Sequence, residues 1–252
     1  MSKKTTAIVS AAFVAIASLG IAQEAPLRLA GSKVIDKSIV TNLPNFIKLN
    51  AELQLKQEGF NNWAAYTFNV PGNSSFKPYN TQTDELGYTH TRYKQYVNNY
   101  PVEASMVISH SREGKITMVN GDYYQNFSTN LSPSLDEASA LSSALKKVSA
   151  KKYMWENEVF AKQTGESFYP KGELVVVHKK GGDYSASNMR LAYKFNIYAE
   201  TPLYRANVFV DANTGEILDE QNLICTVDVV GTGVTKYSGS VPMTSDNTGG
   251  SS

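Results

Sequence analysis

The chain contains three histidines, and their spacing bears on whether it could hold a catalytic zinc ion. A common hydrolytic zinc site places His-Glu-x-x-His on one helix, so that two imidazoles one turn apart bind the metal while the glutamate activates water. His90, His110 and His178 are too far apart for this pattern, and their neighbours favour strands. His90 and His110 could meet across a hairpin as a two-histidine metal site. Histidines flanking strands are more often hydrogen-bonded structural groups, so no metal ligand is assigned.

Nucleophilic and phosphate-binding patterns are also missing from the sequence. No Gly-x-Ser-x-Gly elbow is present, and Cys225, the only cysteine, has no histidine near it. A lone cysteine in a β-rich segment is usually a small buried hydrophobe, and it excludes an internal disulfide. Gly231-x-Gly233 opens no predicted helix, so it does not indicate a phosphate loop. No catalytic or cofactor-binding residue is therefore assigned.

The composition is that of a globular protein, and its net charge does not indicate a strongly charged binding partner. The 252 residues are 42% hydrophobic and 19% charged, with a net charge of +1. Removal of Lys3 and Lys4 with the segment described next leaves a charge of about −1. This balance argues against nucleic acid, and against an anionic membrane surface, as a partner.

The N-terminus has the three parts of a secretory signal peptide. Lys3 and Lys4 precede an apolar stretch over residues 7–21, which ends in small residues before Gln23. We expect a signal peptide over residues 1–22, cleaved between Ala22 and Gln23, and an extracellular location. The alternative is a membrane anchor, but the stretch is short for a spanning helix.

Patterning predicts an α+β fold of two small domains, each an antiparallel sheet packed with one or more helices. Residues 23–45 are polar and weakly periodic, which favours a flexible lead. A short helix is predicted over residues 46–59 and a strand over residues 64–70, followed by a polar loop over residues 71–75.

The clearest pattern is a run of three strands over residues 84–121. Strands are predicted over residues 88–96, 101–110 and 115–119, and the second is expected to place Val102, Ala104, Met106 and Ile108 on one face. Asn98-Asn99 and Arg112-Glu113-Gly114 can supply the positive φ angles that tight turns need.

This run resembles the fungalysin/thermolysin propeptide motif of secreted zinc metalloprotease precursors. The positions that carry the match are His90, Arg92, Gln95, Pro101, Val102, His110 and Gly121. Asn99 stands where the family usually has glycine, and asparagine also tolerates the left-handed region. The resemblance favours a structural role for His90 and His110, and it predicts a propeptide-like domain over residues 46–128.

A second unit over residues 129–224 combines a helix with a predicted four-strand meander. Ser134 is predicted to cap the helix with Glu137 three residues later, before apolar residues at helical spacing. Asp211, Asn213 and Gly215 are predicted to form a hairpin turn; the Asp-x-Asn-x-Gly pattern lacks the glutamate of a calcium loop. This unit resembles the PepSY domain, which follows the first motif in protease precursors.

The last segment, residues 225–252, is interpreted as a maturation junction and the beginning of a protease domain. The residues after Gly231 resemble the first strand of a mature thermolysin-like protease, but the sequence given contains no catalytic domain. The residues that define the expected maturation region are Cys225, Thr226, Val230 and Gly231. Cleavage is expected between Cys225 and Gly231.

The resemblance implies a pro-region that is not itself an enzyme. It would act as intramolecular chaperone and inhibitor of a thermolysin-like protease domain in cis, with zinc and calcium belonging to that following domain and no cofactor in these residues. The precursor would be a zinc metalloendopeptidase. Two alternatives remain open: a free-standing secreted inhibitor or binding module made of the same two domains, and an enzyme complete in these residues.

Overall fold

A computed structural model describes residues 31–125, 127, 130–165, 167–181, 188–224, 228–235 and 239–246. The expected signal peptide, its Ala22–Gln23 cleavage site, Cys225 and Thr226 lie outside these residues. The described part has two antiparallel sheets with a few helices, so the predicted α+β class is confirmed.

The first sheet has seven strands and contains the predicted three-strand run. Its strands are β1 (Ser32–Lys37), β2 (Pro44–Leu49), β3 (Ser74–Thr83), β4 (Tyr88–Val97), β5 (Tyr100–Pro101), β6 (Met106–Arg112) and β7 (Lys115–Asp122). They pair antiparallel in the order β1-β2-β7-β6-β4-β3, and β5 also pairs with β4. The two edges of this sheet are therefore β1 and β3.

Both predicted turns of the run are confirmed by backbone angles. Asn98 and Asn99 have φ angles of 47° and 67°, and Glu113 and Gly114 have 52° and 75°. Two consecutive residues with positive φ match the right-handed twist of the strands that they connect. Asn99 thus takes the conformation for which its family counterpart uses glycine.

The second strand of the run differs from its prediction. Residues 102–105 turn, and β6 begins only at Met106. Met106 is 44% exposed and Ile108 only half-buried, while Val107 is buried. Ala104 is also exposed, because the turn reverses which alternate residues face the core, so the expected apolar face is wrong from Ala104 onward.

The segment before the run is also organised differently from its prediction. Within the expected flexible lead, Ser32–Lys37 is a strand that pairs with Pro44–Leu49. The predicted helix over residues 46–59 is replaced by β2 and by short 3-10 turns at Ala51–Leu53 and Gln57–Gly59. Ile47 and Leu49 are buried at the two-residue spacing of a strand, and this local alternation prevails over the wider helical pattern.

Helix α1 (Phe60–Thr67) occupies part of the predicted strand over residues 64–70, which is wrong. Its buried residues Phe60, Ala64 and Thr67 recur at helical spacing. Phe60 stacks on Tyr93 of β4, with 4.0 Å between ring centroids. Strand β3 follows from Ser74, so the last two residues of the predicted polar loop over residues 71–75 belong to a strand.

The second sheet has five strands and carries the predicted meander. The elements are α2 (Glu137–Val148), β8 (Lys152–Tyr153), α3 (Glu158–Thr164), β9 (Glu173–His178), β10 (Met189–Thr201), β11 (Tyr204–Asp211) and β12 (Ile217–Asn222). Strands β9 to β12 pair consecutively, and β8 pairs with β10 beyond the end of β9. The helix is confirmed, but its N-cap is Asp136, whose carboxylate accepts from the Ser139 N–H, and not Ser134.

One hydrophobic cluster joins the two sheets. It includes Val97, Val102 and Tyr124 from the first unit with Val176 and Leu191 from the second. A two-stranded hairpin, β13 (Asp228–Thr235) with β14 (Gly239–Asp246), completes the described residues.

Candidate functional site

Strand β4 carries motif residues on both of its faces. Gln95 lies on the inner face and is completely buried, while His90 lies on the outer face and is half-buried. The odd spacing between these two positions places them on opposite faces, because side chains alternate along a strand.

The inner face is organised around the side chain of Gln95. Its Nε2 donates to the Tyr124 carbonyl at 2.8 Å, and its Oε1 accepts from the Tyr124 N–H at 2.9 Å. The Gln95 N–H donates to Ser105 Oγ at 3.0 Å, and that hydroxyl donates to the Val102 carbonyl at 2.9 Å. The Gln95 side chain therefore holds the backbone at Tyr124, just after β7. The Gln95 backbone N–H contacts the turn before β6 through Ser105.

That turn, residues 102–105, is also where the two sheets meet. Val102 donates to the Gln95 carbonyl at 2.8 Å and forms a parallel bridge with Val176 of β9. The Glu103 N–H donates to the Val176 carbonyl at 2.9 Å. Its carboxylate lies 2.8 Å from Lys194 Nζ and 3.9 Å from Lys94 Nζ. Pro101 ends β5 directly before this junction.

The outer face brings together the two histidines of the motif, as the hairpin alternative suggested. His90 and His110 are cross-strand partners, and their Nδ1 atoms lie 2.6 Å apart. His90 Nε2 lies 3.0 Å from Asp84 Oδ2, and His110 Nε2 contacts Asn120 Oδ1. The hydrogen bond from His90 and the backbone N–H of Tyr88 lower the pKa of Asp84 below its usual value.

Two further motif positions have structural explanations. Arg92 Nη1 donates to Asn80 Oδ1 at 3.0 Å on the outer face. Gly121 has a φ of 122°, and a Cβ there would lie 2.0 Å from the Met106 carbonyl oxygen. Only glycine fits this approach between β6 and β7.

The hairpin turn at Asp211 is held by hydrogen bonds between the Asp211 side chain and backbone N–H groups. Asp211 Oδ1 accepts from the N–H groups of Asn213 at 2.8 Å and Thr214 at 2.9 Å. Gly215 follows with a φ of 76°. An aspartate oxygen that accepts two backbone N–H groups is the usual anchor of such a turn.

The remaining predicted site residues are dispersed. His178 is the last residue of β9 in the second sheet, whereas His90 and His110 lie in the first sheet. Val230 and Gly231 lie in β13, opposite Thr244 and Met243. Among the residues that the structure describes, no group of three or more His, Cys, Asp or Glu side chains is arranged to hold a metal ion. Within the same residues, no helix has the length and apolar character to cross a bilayer.

Sequence reasoning missed several residues that complete these two faces. Ser105, Glu103 and Tyr124 belong to the inner junction, and Asp84 and Asn120 hold the histidines. Tyr124 is 29 positions from Gln95, so no local pattern could pair them. Asp84 could have been found, because an aspartate before a glycine turn typically accepts from backbone N–H groups.

Comparison with known proteins finds a family motif in the part of the first sheet from β3 to β7. Residues 74–123 match the Fungalysin/Thermolysin Propeptide Motif. This range begins at β3 and ends just after β7, and it includes every motif position discussed above.

Curated relatives match a longer part of the chain. Bacillolysin of Bacillus subtilis is 28% identical over 263 aligned positions, which cover 99% of this chain and 47% of bacillolysin. Bacillolysin of Bacillus amyloliquefaciens is 28% identical over 93% of this chain and 44% of its own length. The Vibrio cholerae hemagglutinin/proteinase is 27% identical over 65% of this chain and 26% of its own length. The chain thus spans about half the length of the bacillolysins that it matches.

A solved structure, the Bacillus megaterium YpeB C-terminal domain, aligns with 73% of each chain at 9% identity and a TM-score of 0.33, too low to support an argument. Residues 74–123 therefore carry the fungalysin/thermolysin propeptide motif, and the chain resembles the pro-region of a thermolysin-like protease.

Proposed function

We propose that this chain is the pro-region of a thermolysin-like zinc metalloendopeptidase, and that it acts in cis as chaperone and inhibitor of the protease domain. The observation that carries the proposal is the extent of the bacillolysin match, which covers nearly all of this chain but less than half of the relative. Zinc and calcium would belong to the protease domain. The chain would be exported by residues 1–22.

The packing of the two sheets supports a chaperone role. A pro-region must present a preformed surface if it is to stabilise the folding transition state of another domain. The shared hydrophobic cluster and the Glu103 junction hold the two sheets against each other. Such a body loses little conformational entropy when it binds, which favours affinity.

Inhibition would follow from the covalent connection. A tethered partner has an effective concentration on the order of millimolar, so modest intrinsic affinity keeps a precursor inactive. Cleavage would remove this advantage. The second unit would correspond to the PepSY domain of such precursors, with α2 packed against the meander.

For inhibition, a strand or linker that follows the second sheet would enter the protease cleft, and the fold limits where this segment can begin. Leu218 is 3% exposed and packs with Val175 and Phe209 in the second sheet. Strand β12 continues to Asn222, and Leu223 still donates to the Arg205 carbonyl at 2.9 Å. A segment that enters a cleft would therefore begin after Leu223. The proposed cleavage region between Cys225 and Gly231 agrees with this limit.

The proposal is tested by adding the purified full chain to Bacillus subtilis bacillolysin. With native enzyme, we expect saturable inhibition of casein hydrolysis. With denatured enzyme diluted from guanidinium, we expect faster recovery and a higher yield of activity. The Gly121→Ala variant, whose first sheet is expected to be strongly destabilised, serves as control for non-specific protection. Neither inhibition nor improved refolding, or equal effects from the control, would contradict the proposal.

A further inference from the structure

The outer face of the first sheet contains two imidazole nitrogens that point at each other. We propose that His90 and His110 form a two-imidazole binding site for a borderline divalent metal ion such as Zn²⁺. Asp84 and Asn120 would orient the two rings. The proposal does not depend on the protease-related function.

The first step is a count of hydrogens on the four ring nitrogens. A neutral imidazole carries one N–H, and an ionised carboxylate can only accept. His90 Nε2 faces Asp84 Oδ2, so in a neutral ring the hydrogen lies on this nitrogen. His110 Nε2 faces the amide oxygen of Asn120, so the same holds for this ring.

When both rings are neutral, both Nδ1 atoms are then unprotonated, and they lie 2.6 Å apart. Two lone pairs at this distance repel each other unless a proton or a metal ion lies between them. A metal ion satisfies both nitrogens at once, and imidazole is a preferred ligand of Zn²⁺ and Cu²⁺.

Asp84 and Asn120 contact the two Nε2 atoms in the way that hydrogen-bond partners of metal-binding histidines do. Such histidines usually donate their second N–H to a carboxylate or carbonyl oxygen, which fixes the tautomer and the ring orientation. Asp84 is itself held in place, because its Oδ1 accepts from the N–H groups of Leu86 at 3.0 Å and Tyr88 at 2.9 Å. Its other oxygen remains directed at His90.

The geometry is close to that of a bound ion but not identical to it. The ring centroids lie 4.8 Å apart and the ring planes are inclined by 76°. With metal–nitrogen bonds of about 2.0 Å and a tetrahedral angle, the two nitrogens would lie about 3.3 Å apart. The rings would therefore separate by about 0.7 Å, a small adjustment of side chains on a partly exposed face.

The site is open to an ion and to further ligands. The His90 side chain is 27% exposed, so an ion and water can reach it. Met118 is the cross-strand partner of His110, which places a thioether on the same row of the face. Arg92, on the same face, donates to Asn80, and the Asp84 carboxylate supplies a negative charge beside His90.

The direct test is calorimetric titration of the tag-free, full chain with Zn²⁺ near neutral pH. We expect one ion per chain, an increase in melting temperature with added Zn²⁺, and tighter binding of Cu²⁺ than of Zn²⁺. Mg²⁺, which prefers oxygen ligands, should have no effect. Protons compete with the metal ion for the imidazole nitrogens, so binding should weaken as the pH is lowered.

Variants locate the ion. His90→Gln and His110→Gln should each weaken Zn²⁺ binding at least about tenfold, and Asp84→Asn about tenfold through loss of ring orientation. His178→Gln is the matched control and should bind like the parent chain, since His178 lies in the other sheet. Circular dichroism confirms that each variant is folded.

Two results would overturn the proposal. One is the lack of Zn²⁺ binding by the folded parent chain, with a trapped Nδ1 proton seen by NMR, which would mean that the pair shares a proton. The other is unchanged binding in both His90→Gln and His110→Gln, which would place the ion elsewhere.

Discussion

The inner and outer faces of strand β4 differ in how completely their polar groups are satisfied. On the inner face, Gln95 has a partner for both its donor and its acceptor in the Tyr124 backbone, and no part of it is exposed. On the outer face, His90 and His110 are each held at one nitrogen while the other two nitrogens face each other. One family motif thus includes residues that hold the fold and residues whose chemistry is available for a ligand.

The largest expected loss of stability comes from a substitution that disrupts the packing of β6 against β7, on which both faces of the first sheet depend. In Gly121→Ala, the new Cβ would lie 2.0 Å from the Met106 carbonyl oxygen, at a φ of 122°. We expect a loss of about 4 kcal/mol or more in the free energy of unfolding, measured by urea denaturation.

Gly114→Ala is the matched control for this variant. Gly114 also has a positive φ, 75°, but a Cβ there would meet nothing within 4 Å. The expected cost is therefore only backbone strain, about 1 kcal/mol. Equal losses from the two variants would contradict the steric explanation at Gly121.

Gln95→Ala breaks the inner face alone. It removes the Gln95 side chain as partner of the Tyr124 N–H and carbonyl in a buried place and creates a void. We expect a loss of about 3 kcal/mol in the free energy of unfolding. A loss below about 1 kcal/mol would mean that water replaces the side chain.

The Gln95→Glu variant keeps the size of the side chain but changes its hydrogen bonding, so it separates these two contributions to stability. The carboxylate can accept from the Tyr124 N–H but cannot donate to its carbonyl, and burial opposes its charge. The variant should recover part of the lost stability in acid, where the protonated carboxyl group donates. Urea denaturation at two pH values measures this recovery.

Glu103→Gln tests how far the inner network extends into the second sheet. The Glu103 and Lys194 side chains are 22% and 24% exposed, so their ion pair is only partly screened. We expect a loss of about 1 kcal/mol, reduced by added salt. A salt-independent loss would indicate that packing, and not charge, connects the sheets.

The smallest effect concerns the outer face. The pKa of Asp84 is lowered in the folded chain, mainly by its hydrogen bond with His90. Its contribution to stability is therefore complete above the unfolded pKa of about 4, and it disappears as the pH falls through the folded value.

The melting temperature of Asp84→Asn should accordingly lie slightly below that of the parent chain near neutral pH. The difference should shrink as the pH falls into the range where Asp84 is protonated. A difference that persists in strong acid would show that Asp84 acts through something other than its charge.

Elements set by local signals could be predicted from the sequence. Asn98-Asn99 and Glu113-Gly114 mark their turns by residue type, and the Glu137–Val148 helix follows from its apolar spacing. The cap was misplaced by two residues because Ser134 and Asp136 are both good caps, and only the bond to the Ser139 N–H distinguishes them.

Features set by distant contacts could not be predicted. The Gln95–Tyr124 pair and the Val102–Val176 bridge join residues far apart in the chain. Strand β1 has little apolar alternation of its own and is ordered by pairing with β2. The His90–His110 contact could be predicted in part. The hairpin indicates that the two residues are close, but it does not indicate which ring nitrogens face each other.

The edge strands of the first sheet bear on how the chain avoids aggregation. Open edges can recruit a second chain by strand pairing, and proline, lysine and bulges oppose this. Strand β3 contains Lys77 and Pro78, with a register shift between Pro78 and Asn80, and β1 is irregular between Val34 and Lys37. Both borders are thereby poor templates for another strand, so copies of this sheet should remain separate even when crowded together.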